Sequence, residues 1–529
     1  MIRIMKKQLL ALLLCSGMAY AQQPVDYVNP FIGTSNFGTT NPGAVCPQGM
    51  MSVTPFNVMG SETNTFDKDS RWWSTPYSSD NDYFTGYAHV NLSGVGCPEL
   101  GSLLLMPTAG ELKVDYKEYG SHYDKEVSHP GYYSNLLTKY NIKTEVTATP
   151  RTGLARFTFP KGEGNILLNL GEGLTNESGA TVRFVGDTEI EGSKLMGTFC
   201  YNAQAVFPIY FVMKIDKAPK EKGYWKKQRE MTAEAEWDSD AGKYKLYPKY
   251  TREMSGDDVG VWFKYDVEAE EQIQVKIGVS FISIANAHEN LGKEQPGFAF
   301  DQTAQAAREA WNKDLSRITV EGGTKDEKTI FYTGLYHLLI HPNILQDVNG
   351  EYPKMESLEV GKTSENRYTV FSLWDTYRNV SSLMTLLYPD RQLQIIHTMI
   401  DMYKENGWLP KWELYGRETF TMEGDPSIPY IVDAWMKGLR DFDVNTAYEA
   451  MCKGATTPGE YNLLRPDAND YYSLGYCPMV SQFDNSVSHA LEYYLADWSL
   501  GKFAEALGKK EDAKLFYGRS LGYKHYYCK

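Results

Sequence analysis

Three segments of this chain combine aromatic with acidic or small residues, and the first is residues 372–378 (SLWDTYR). Trp374 and Asp375 are adjacent there, at the predicted start of a helix. An indole face can stack on a sugar ring while a neighbouring carboxylate accepts hydrogen bonds from the sugar hydroxyls. The pair therefore indicates carbohydrate binding. The alternative is that Asp375 serves as a helix N-cap that satisfies free backbone amides.

The second segment, residues 407–425, is a long loop punctuated by Pro and Gly. Long loops with large aromatic residues in a helical fold are usually functional. Glu418 and the earlier Asp375 have the residue types of an acid and base pair for glycoside hydrolysis. The alternative is a solvated loop with a few buried aromatics. The aromatic and acidic residues of this loop include Trp408, Trp412, Glu413, Glu418, Glu423 and Asp425.

The third segment lies in the N-terminal half of the chain. It comprises Trp72 and Trp73 and, further on, residues 85–97 (TGYAHVNLSGVGC). Small residues surround His89, so the backbone there could approach a ligand closely. A single histidine is more often a core residue with satisfied hydrogen bonds. Both interpretations of His89 stay open at this point.

Strands must position this third segment. Apolar and polar residues alternate in several short stretches between residues 22 and 290, as in half-buried strands, and Gly and Pro separate them. This pattern predicts a β-sandwich. The highly charged residues 217–249 predict an exposed insertion. The candidate strands are residues 152–159, 164–170, 205–213 and two within residues 259–284.

The first two segments lie in the part of the chain that is predicted to be helical. From residue 302 onward the apolar residues recur with a helical period, so helices must position these segments. Residues 302–318 predict a connector helix. Helices in antiparallel succession, without strands between them, predict an α/α architecture. The predicted helices are residues 327–341, 373–387, 392–405, 427–439, 445–452, 486–507 and 512–523.

Charge and motifs exclude several functional classes. The chain has 529 residues, with 53 Lys and Arg against 67 Asp and Glu, and a net charge of -14. A nucleic-acid partner would need a basic surface, so none is expected. The sequence contains no P-loop, dinucleotide-binding, HExxH or GxSxG motif. No stretch after residue 21 reaches about 18 consecutive apolar residues, so no stable membrane insertion is expected.

The N-terminus predicts export. Residues 1–21 have a basic start, a short apolar run and the cleavage motif AYA, as in a secretory signal peptide. Lipid attachment at Cys15 is the alternative, although leucines precede it where such a site expects a small residue. We expect a periplasmic or extracellular protein. The six later cysteines are thinly spread and lack zinc spacing, which leaves either one or two disulfides or free buried thiols.

Together these segments resemble glycoside hydrolase family 92, the exo-acting, calcium-dependent α-mannosidases. YVNPFIGT at residues 27–34 is similar to the family's opening, and GYAHVNLSGVG at 86–96 is similar to a later family segment. Further stretches follow in the family's order, and the match extends from about residue 25 to residue 529. These stretches are LWDTYR, the 407–425 loop, DAWMKG at 433–438 and LEYY at 491–494.

The resemblance implies a multidomain fold of β and α parts. An N-terminal β-sandwich is followed by a linker helix and a six-hairpin α/α barrel, with the site where the domains meet. The implied divisions are a signal peptide at 1–21, the sandwich at 22–295, the linker at 296–325 and the N-terminal part of the barrel catalytic domain at 326–529. Mannose-containing glycans are the implied partners.

The resemblance also implies hydrolysis of terminal α-mannosides with inversion. In that reaction a carboxylic acid protonates the leaving oxygen while a carboxylate activates water, and the two carboxyl groups lie about 6.5–9.5 Å apart. Calcium, which prefers oxygen ligands, would hold two sugar hydroxyls. By position, Trp374 and Asp375 would line the subsite for the terminal mannose. Gly33 and one of Trp72 or Trp73 would come from the N-terminal domain.

Three later family segments, which carry the acid, the calcium ligands and the base, have no counterpart in this sequence. The family's acid and base, and most of its calcium ligands, would therefore lie beyond Lys529, and we assign no catalytic residue. We expect a truncated chain with an incomplete barrel and without mannosidase activity. Glu418 becomes a substrate-pocket or loop residue rather than the acid.

Two alternatives to a truncated enzyme stay open. The first is a non-catalytic carbohydrate-binding remnant, which would keep the aromatic wall and bind mannose without cleaving its glycosides. The second is a surface scaffold. The scaffold alternative predicts that Trp374 and Asp375 are buried in packing, away from any cleft.

Overall fold

The computed structural model describes residues 22–70, 72–174, 178–197, 199, 204–228, 242–480 and 485–527. In these ranges a β-sandwich precedes a helical domain, which confirms the predicted fold class. The predicted signal peptide and Cys15 lie outside the described residues. Lys529, the residue beyond which the sequence resemblance puts the acid and the base, also lies outside them, so this expectation stays a prediction.

The cysteines divide between the two states that the sequence left open. Cys97 is disulfide-bonded, whereas Cys46, Cys452 and Cys477 are thiols outside any disulfide. Burial raises the pKa of the Cys46 thiol to about 12 and that of the Cys452 thiol to about 11. Because the thiolate is the reactive form, these two thiols are inert at neutral pH.

The first sheet of the sandwich has eight described strands, each antiparallel to its neighbours. In spatial order they are β1 (Ala44–Val45), β2 (Ser52–Phe56), β4 (Gly86–Asn91), β5 (Leu100–Ala109), β10 (Gly162–Asn169), β17 (Val259–Val267), β14 (Glu221–Gln228) and β15 (Lys243–Tyr247).

The second sheet has ten described strands, also antiparallel throughout. In spatial order they are β16 (Met254–Gly256), β11 (Ser178–Phe184), β12 (Glu189–Gly197), β13 (Val206–Ile215), β18 (Glu271–Ser280), β9 (Thr152–Phe159), β8 (Ile142–Ala148), β7 (Tyr132–Leu137), β6 (Ser121–His129) and β3 (Tyr83–Phe84).

One hydrophobic core joins the two sheets. Tyr87 of the first sheet meets Tyr133 of the second edge-on, with 6.0 Å between ring centroids. The Tyr87 hydroxyl also forms a hydrogen bond with Thr144 Oγ1 across the sandwich. Phe157 of β9 is fully buried on the inner face that the sequence alternation predicted. Burying such a side chain contributes about 1.5–3 kcal/mol, so alternation of this kind drives the sheets together.

The described parts of the range 217–249, which are residues 217–228 and 242–249, do not form the exposed insertion that their charge predicts, and residues 229–241 lie outside the described residues. Strands β14 and β15 lie in this segment and extend the first sheet beyond β17. Tyr224 and Trp225 of β14 are fully buried. Because β15 forms the edge of the sheet, its charged residues face water and protect the edge from further pairing. The charged outer positions hide the strand pattern in the sequence.

Twelve α-helices lie in the described residues, and all but the first follow the last strand of the sandwich. They are α1 (Tyr116–Tyr119), α2 (Ile284–Glu294), α3 (Phe300–Leu315), α4 (Lys325–Leu338), α5 (Leu373–Thr376), α6 (Val380–Leu387), α7 (Pro389–Asn406), α8 (Ser427–Met436), α9 (Val444–Thr456), α10 (Ala468–Leu474), α11 (Ser486–Ala506) and α12 (Lys510–Ser520).

The helix predicted at residues 373–387 consists of two pieces, α5 and α6, which are separated by residues 377–379. The sequence patterns do not predict α1, which is a single turn, nor α2 and α10, whose Asn, Asp and Gly residues have low helix propensity. None of the helices that the structure describes is both long and apolar enough to cross a bilayer.

Three short hairpins or strand pairs interrupt the helical domain, and the domain packs directly on the sandwich. Trp311 of α3 donates its indole N–H to the Val45 carbonyl at 2.6 Å, and Asn343 donates to the Gly49 carbonyl at 2.7 Å. These buried contacts fix the helix-end loops relative to the sheets. The short strands are β19 (Asn343–Ile344), β20 (Glu351–Pro353), β21 (Val360–Lys362), β22 (Tyr368–Thr369), β23 (Glu413–Leu414) and β24 (Arg417–Glu418).

Candidate functional site

Trp374 and Asp375 lie side by side on α5, a helix of a single turn. Ser372, not Asp375, occupies the N-cap position. The Ser372 hydroxyl donates to the Asp375 carboxylate. Asp375 is exposed and Trp374 is partly exposed. The scaffold alternative, which buries both side chains in packing, is therefore wrong for Asp375, and this carboxylate is free to accept hydrogen bonds from a ligand.

The neighbour of Trp374 on its ring face is Arg378, a residue that the sequence reasoning missed. The Arg378 guanidinium lies 4.5 Å from the centroid of the Trp374 ring. It also pairs with Glu492 of α11 at 2.7 Å. The family-like LEYY stretch at residues 491–494 was the available signal for Glu492, but its spacing from Trp374 along the chain gave no indication of contact.

The 407–425 loop faces the sandwich, and most of it is buried rather than solvated. Its hairpin of β23 and β24 turns at Tyr415 and Gly416, which have φ of 49° and 82°. Positive φ at both central residues gives the turn type whose twist matches a two-residue hairpin. Trp412 stacks on Phe199 at 4.5 Å and Tyr415 stacks on Phe281 at 4.1 Å, so aromatic contacts hold the loop at the domain interface.

Glu418 is 5% exposed and holds this loop together. Its carboxylate accepts hydrogen bonds from the backbone N–H groups of Lys411, Trp412 and Phe420, at 2.8, 2.8 and 3.0 Å. Burial raises the pKa of Glu418, although these three hydrogen bonds act in the opposite direction. Such a carboxylate shapes the backbone around it, and direct contact with substrate remains a prediction.

Two further carboxylates of the loop are also buried and bonded. Burial raises the pKa of Glu413 to about 8, against the hydrogen bond that it accepts from the Gly416 N–H. Asp425 pairs with Arg465 at 3.2 Å, and the same guanidinium pairs with Asp497 of α11 at 2.8 Å. All three members of this ion-pair network are almost completely buried. It anchors the end of the loop to α11.

The exposed tip of the loop is Phe420 to Glu423. Phe420 and Met422 have φ of 55° and 66° and are each 39% exposed. Non-glycine residues in this left-handed region cost energy, and such residues cluster at functional sites. Glu423 is held from α11, because Asn485 donates to it at 3.0 Å and His489 Nε2 lies 2.5 Å away.

Gly33 and Trp72 come together in one group of loops on the sandwich. Gly33 has φ of 87°, and a Cβ there would lie 2.8 Å from Thr40 Oγ1, so the turn requires glycine. Trp72 is 48% exposed and donates its indole N–H to the Gly96 carbonyl at 3.2 Å. Trp73, by contrast, is buried against Phe66 at 4.0 Å.

The loop around residue 93 connects this group to the helical domain. Ser93 N–H donates to His341 Nε2 at 3.1 Å, and the Gly94 N–H donates to the Thr39 carbonyl at 3.0 Å. Trp374 and Asp375 make their hydrogen-bond and ring contacts with Ser372 and Arg378, within the helical domain. The two groups of candidate residues therefore belong to different domains, and a single site that joins them stays a prediction.

His89 is a core residue. It is 1% exposed, and its Nδ1 lies 2.8 Å from the Leu103 carbonyl. Burial lowers its pKa to about 4, so the imidazole is neutral at physiological pH. The core interpretation of His89 is confirmed.

An apolar groove of about 1120 Å³ lies beside Arg378, between α4 and α6. Leu338, Leu383 and Leu386 are among its lining residues. Sugar hydroxyls need hydrogen-bond partners, and burying them without partners is costly. This groove is therefore a poorer site for a sugar than the Trp374 and Asp375 surface.

The described residues do not by themselves form a site for the calcium ion that the family resemblance implies. In the ranges between residues 22 and 527 that the structure describes, no group of three or more His, Cys, Asp or Glu side chains could hold a metal ion. Two carboxylates of the 407–425 loop already have partners: Glu418 accepts from backbone amides, and Asp425 pairs with Arg465. No step of the reaction below is therefore assigned to a metal.

Two family models match this chain. Residues 27–280 match the glycosyl hydrolase family 92 N-terminal domain, and residues 286–529 match the glycosyl hydrolase family 92 catalytic domain. Together the matches span both the sandwich and the helices.

Three relatives are similar to this chain over most of its length. An uncharacterized secreted glycosidase of Arthroderma benhamiae is 25% identical over 93% of this chain and 61% of its own length. A solved family GH92 α-mannosidase of Bacteroides thetaiotaomicron is 29% identical, with a TM-score of 0.82 over 95% of this chain and 65% of that chain. A structure of the same enzyme contains mannoimidazole.

The third relative is a family GH92 inverting mannosidase of Bacteroides thetaiotaomicron. It is 27% identical, with a TM-score of 0.81 over 96% of this chain and 66% of that chain. This chain thus spans between 61% and 66% of the length of these relatives.

Proposed function

Because this chain belongs to glycosyl hydrolase family 92, we propose that it serves the hydrolysis of terminal α-mannosides of glycans by an exo-acting, inverting reaction. The structures of an α-mannosidase, of its mannoimidazole complex and of an inverting mannosidase support mannose as the sugar and inversion as the outcome. Mannose-containing glycans are the proposed partners.

The observation that carries this proposal is the exposed Asp375 beside the partly exposed Trp374. The apolar face of a mannose ring would stack on the indole, and the carboxylate would accept hydrogen bonds from two neighbouring hydroxyls. The two side chains together orient a terminal sugar, because stacking fixes the ring plane and the carboxylate fixes its rotation within that plane. We propose that Gly33 and Trp72 complete the site from the sandwich side.

In the proposed reaction a water molecule attacks the anomeric carbon from the face opposite the leaving oxygen. A carboxylate removes the water's proton while a carboxylic acid protonates the leaving oxygen. Glu413, Glu418 and Asp425 are buried and bonded within the protein, so they are poor candidates for either group. We assign the acid and the base to none of the described residues, and we assign Glu418 to the shape of the loop.

The second candidate function is carbohydrate binding without turnover. This second function is favoured because Glu413, Glu418 and Asp425 are bonded within the protein. Asp375 then serves as a binding group rather than as half of an acid and base pair. Both functions require mannoside binding at Trp374 and Asp375, and they differ only in whether the bond is cleaved.

Calcium and export complete the proposal as expectations from the family resemblance. No step is assigned to calcium. Export to the periplasm or outside the cell is supported by the relative described as a secreted glycosidase, and a disulfide at Cys97 fits an oxidising compartment.

The proposal is tested by binding and turnover with the same chain. Isothermal titration with methyl α-mannoside is expected to show binding that Asp375→Asn and Trp374→Ala each weaken strongly. Matched controls keep binding: Asp390→Asn removes an exposed first-turn carboxylate of α7, and Trp498→Ala removes a 48% exposed tryptophan of α11.

Turnover is followed with 4-nitrophenyl α-mannoside, and the anomer of the first product is followed by NMR. Binding without release of nitrophenol would favour the second candidate, carbohydrate binding without turnover. Release with β-mannose formed first would support the full inverting hydrolase, and release with α-mannose first would contradict inversion. A chain that neither binds nor cleaves mannosides would overturn both candidate functions.

A further inference from the structure

The N-cap residue of α11 and two polar residues of the helix itself contact both segments of the candidate site. The N-cap is Asn485, and His489 and Glu492 follow it at i+4 and i+7, a spacing that places residues on the same side of a helix. Asn485 and His489 bind Glu423 of the 407–425 loop. Glu492 binds the residues that follow Trp374. One helix face therefore joins two segments that lie far apart in the sequence.

Both carboxylate oxygens of Glu492 are occupied. The Tyr377 hydroxyl donates to Oε2 at 2.7 Å, and the Arg378 guanidinium donates to Oε1 at 2.7 Å. The Glu492 side chain is only 15% exposed. Hydrogen bonds to a charged acceptor are stronger than neutral ones, and shielding from water strengthens them further. Glu492 therefore holds Tyr377 and Arg378 in one arrangement.

Arg378 in turn holds Trp374. Its guanidinium lies 4.5 Å from the Trp374 ring centroid and 4.8 Å from that of Tyr377. A cation over an indole is attracted to the ring face, so the plane of Trp374 follows the position of the guanidinium. Because α5 is a single turn, it supplies few backbone hydrogen bonds of its own to fix this side chain.

The 407–425 loop also rests on Glu492. Gly424 has φ of 80°, and a Cβ there would lie 2.4 Å from the Glu492 Cβ. Glycine is needed at this position both for the backbone conformation and for the close approach. Glu492 is therefore the point where the Trp374 segment, the loop and α11 meet.

From this geometry we propose that Glu492 is a positioning residue that fixes Trp374 for mannoside binding through Arg378 and Tyr377. The inference rests on the proposed function and deepens it, because it names a residue that sets affinity without contact to the sugar. A wall that is already rigid costs less conformational entropy when the sugar binds than one that must first be ordered.

The test replaces Glu492 with Gln and measures the affinity for methyl α-mannoside. We expect roughly three- to tenfold weaker binding, the effect of leaving one or two side chains to be ordered on binding. Tyr377→Phe removes a single donor and is expected to weaken binding about twofold, with less risk to folding. Glu505→Gln is the matched control, since its carboxylate on the same helix accepts from the Tyr517 hydroxyl at 2.8 Å and lies 3.8 Å from Lys502.

A double mutant separates positioning from general stabilisation. In a Trp374→Ala background, Glu492→Gln is expected to add no further loss of affinity in ligand-observed NMR, because both changes disable the same wall. An additive loss would overturn the inference. Equal affinity of Glu492→Gln and the unmodified chain would overturn it as well.

A second readout needs no sugar. The fluorescence of Trp374 is obtained by subtracting the spectrum of Trp374→Phe, and its quenching by acrylamide is expected to rise in Glu492→Gln but not in Glu505→Gln. If the unmodified chain binds no mannoside, the proposed function fails, and this quenching still decides the inference. Unchanged quenching would show that Glu492 does not hold Trp374.

Discussion

Replacing Glu418 with Gln tests whether this carboxylate shapes the 407–425 loop. Oε1 accepts from the N–H groups of Trp412 and Phe420, and Oε2 accepts from that of Lys411. Gln keeps an acceptor for the first two donors but sets an amide N–H against the Lys411 N–H. Losing one hydrogen bond to a charged group costs about 1.5–3 kcal/mol, and unpaired buried donors cost a further 1–3 kcal/mol.

The raised pKa of Glu418 shows that burying its charge is itself unfavourable, and removing the charge offsets part of this loss. We therefore expect the loop to lose about 2–4 kcal/mol of local stability at neutral pH. Hydrogen exchange of the Lys411, Trp412 and Phe420 amides measures this local stability directly. Their protection should fall by about 30- to 700-fold, since 1.4 kcal/mol corresponds to a factor of ten.

The matched control is Glu327→Gln at the start of α4. Glu327 also accepts a backbone N–H, from Thr324 at 2.7 Å, but it is exposed, so water replaces the lost bond and protection should barely change. Unchanged protection in Glu418→Gln together with loss of mannoside binding would refute the reasoning, because Glu418 would then act on the sugar and not on the loop.

Two further predictions concern the anchors of the same loop. Arg465→Met leaves Asp425 and Asp497 buried without their cation and is expected to cost about 3–5 kcal/mol in urea unfolding, whereas Arg308→Met, which breaks a half-exposed pair with Asp26, should cost about 1 kcal/mol or less. A small loss in Arg465→Met would contradict the anchoring role. The second of these predictions concerns pH. Burial would lower the pKa of His489, but Asp467 and Glu423 raise it to about 9, above the value near 6.5 of an unfolded chain. The stabilisation is therefore fully present below pH 6.5 and is lost as the pH rises through 9. As the pH rises between these limits, the melting temperature should fall less in His489→Gln than in the unmodified chain. Lys411 is the other cation near these carboxylates. Parallel curves of melting temperature against pH for the two proteins would contradict the stabilising role of His489.

The sequence was sufficient for the layered fold, because local periodicity reports which face of each element is buried. Alternation placed β9 at residues 152–159, and the helical period placed α11 at residues 486–507, one residue beyond its observed end. The pattern failed at β14, where Lys222, Lys226 and Lys227 flank the buried Tyr224 and Trp225. Strand β14 pairs with β15, which forms the edge of the sheet and tolerates charged residues, and the sequence does not show which strand lies at an edge.

The candidate site was less predictable, because its contacts join residues distant in sequence. The adjacent Trp374 and Asp375 could be recognised from their types alone, and the exposure of Asp375 agrees with a binding role. Glu418 carries the same chemistry in the sequence, yet three backbone amides occupy it. The link from Glu492 through Arg378 spans more than one hundred residues, and no local pattern reports it.

The most direct test of the account is a crystal structure of the 529-residue chain soaked with mannose. We expect a sugar ring stacked about 3.5–4 Å from the Trp374 indole, with two hydroxyls donating to the Asp375 carboxylate. A sugar bound elsewhere, or a crystal in which the Trp374 and Asp375 surface stays free of sugar at saturating mannose, would contradict it.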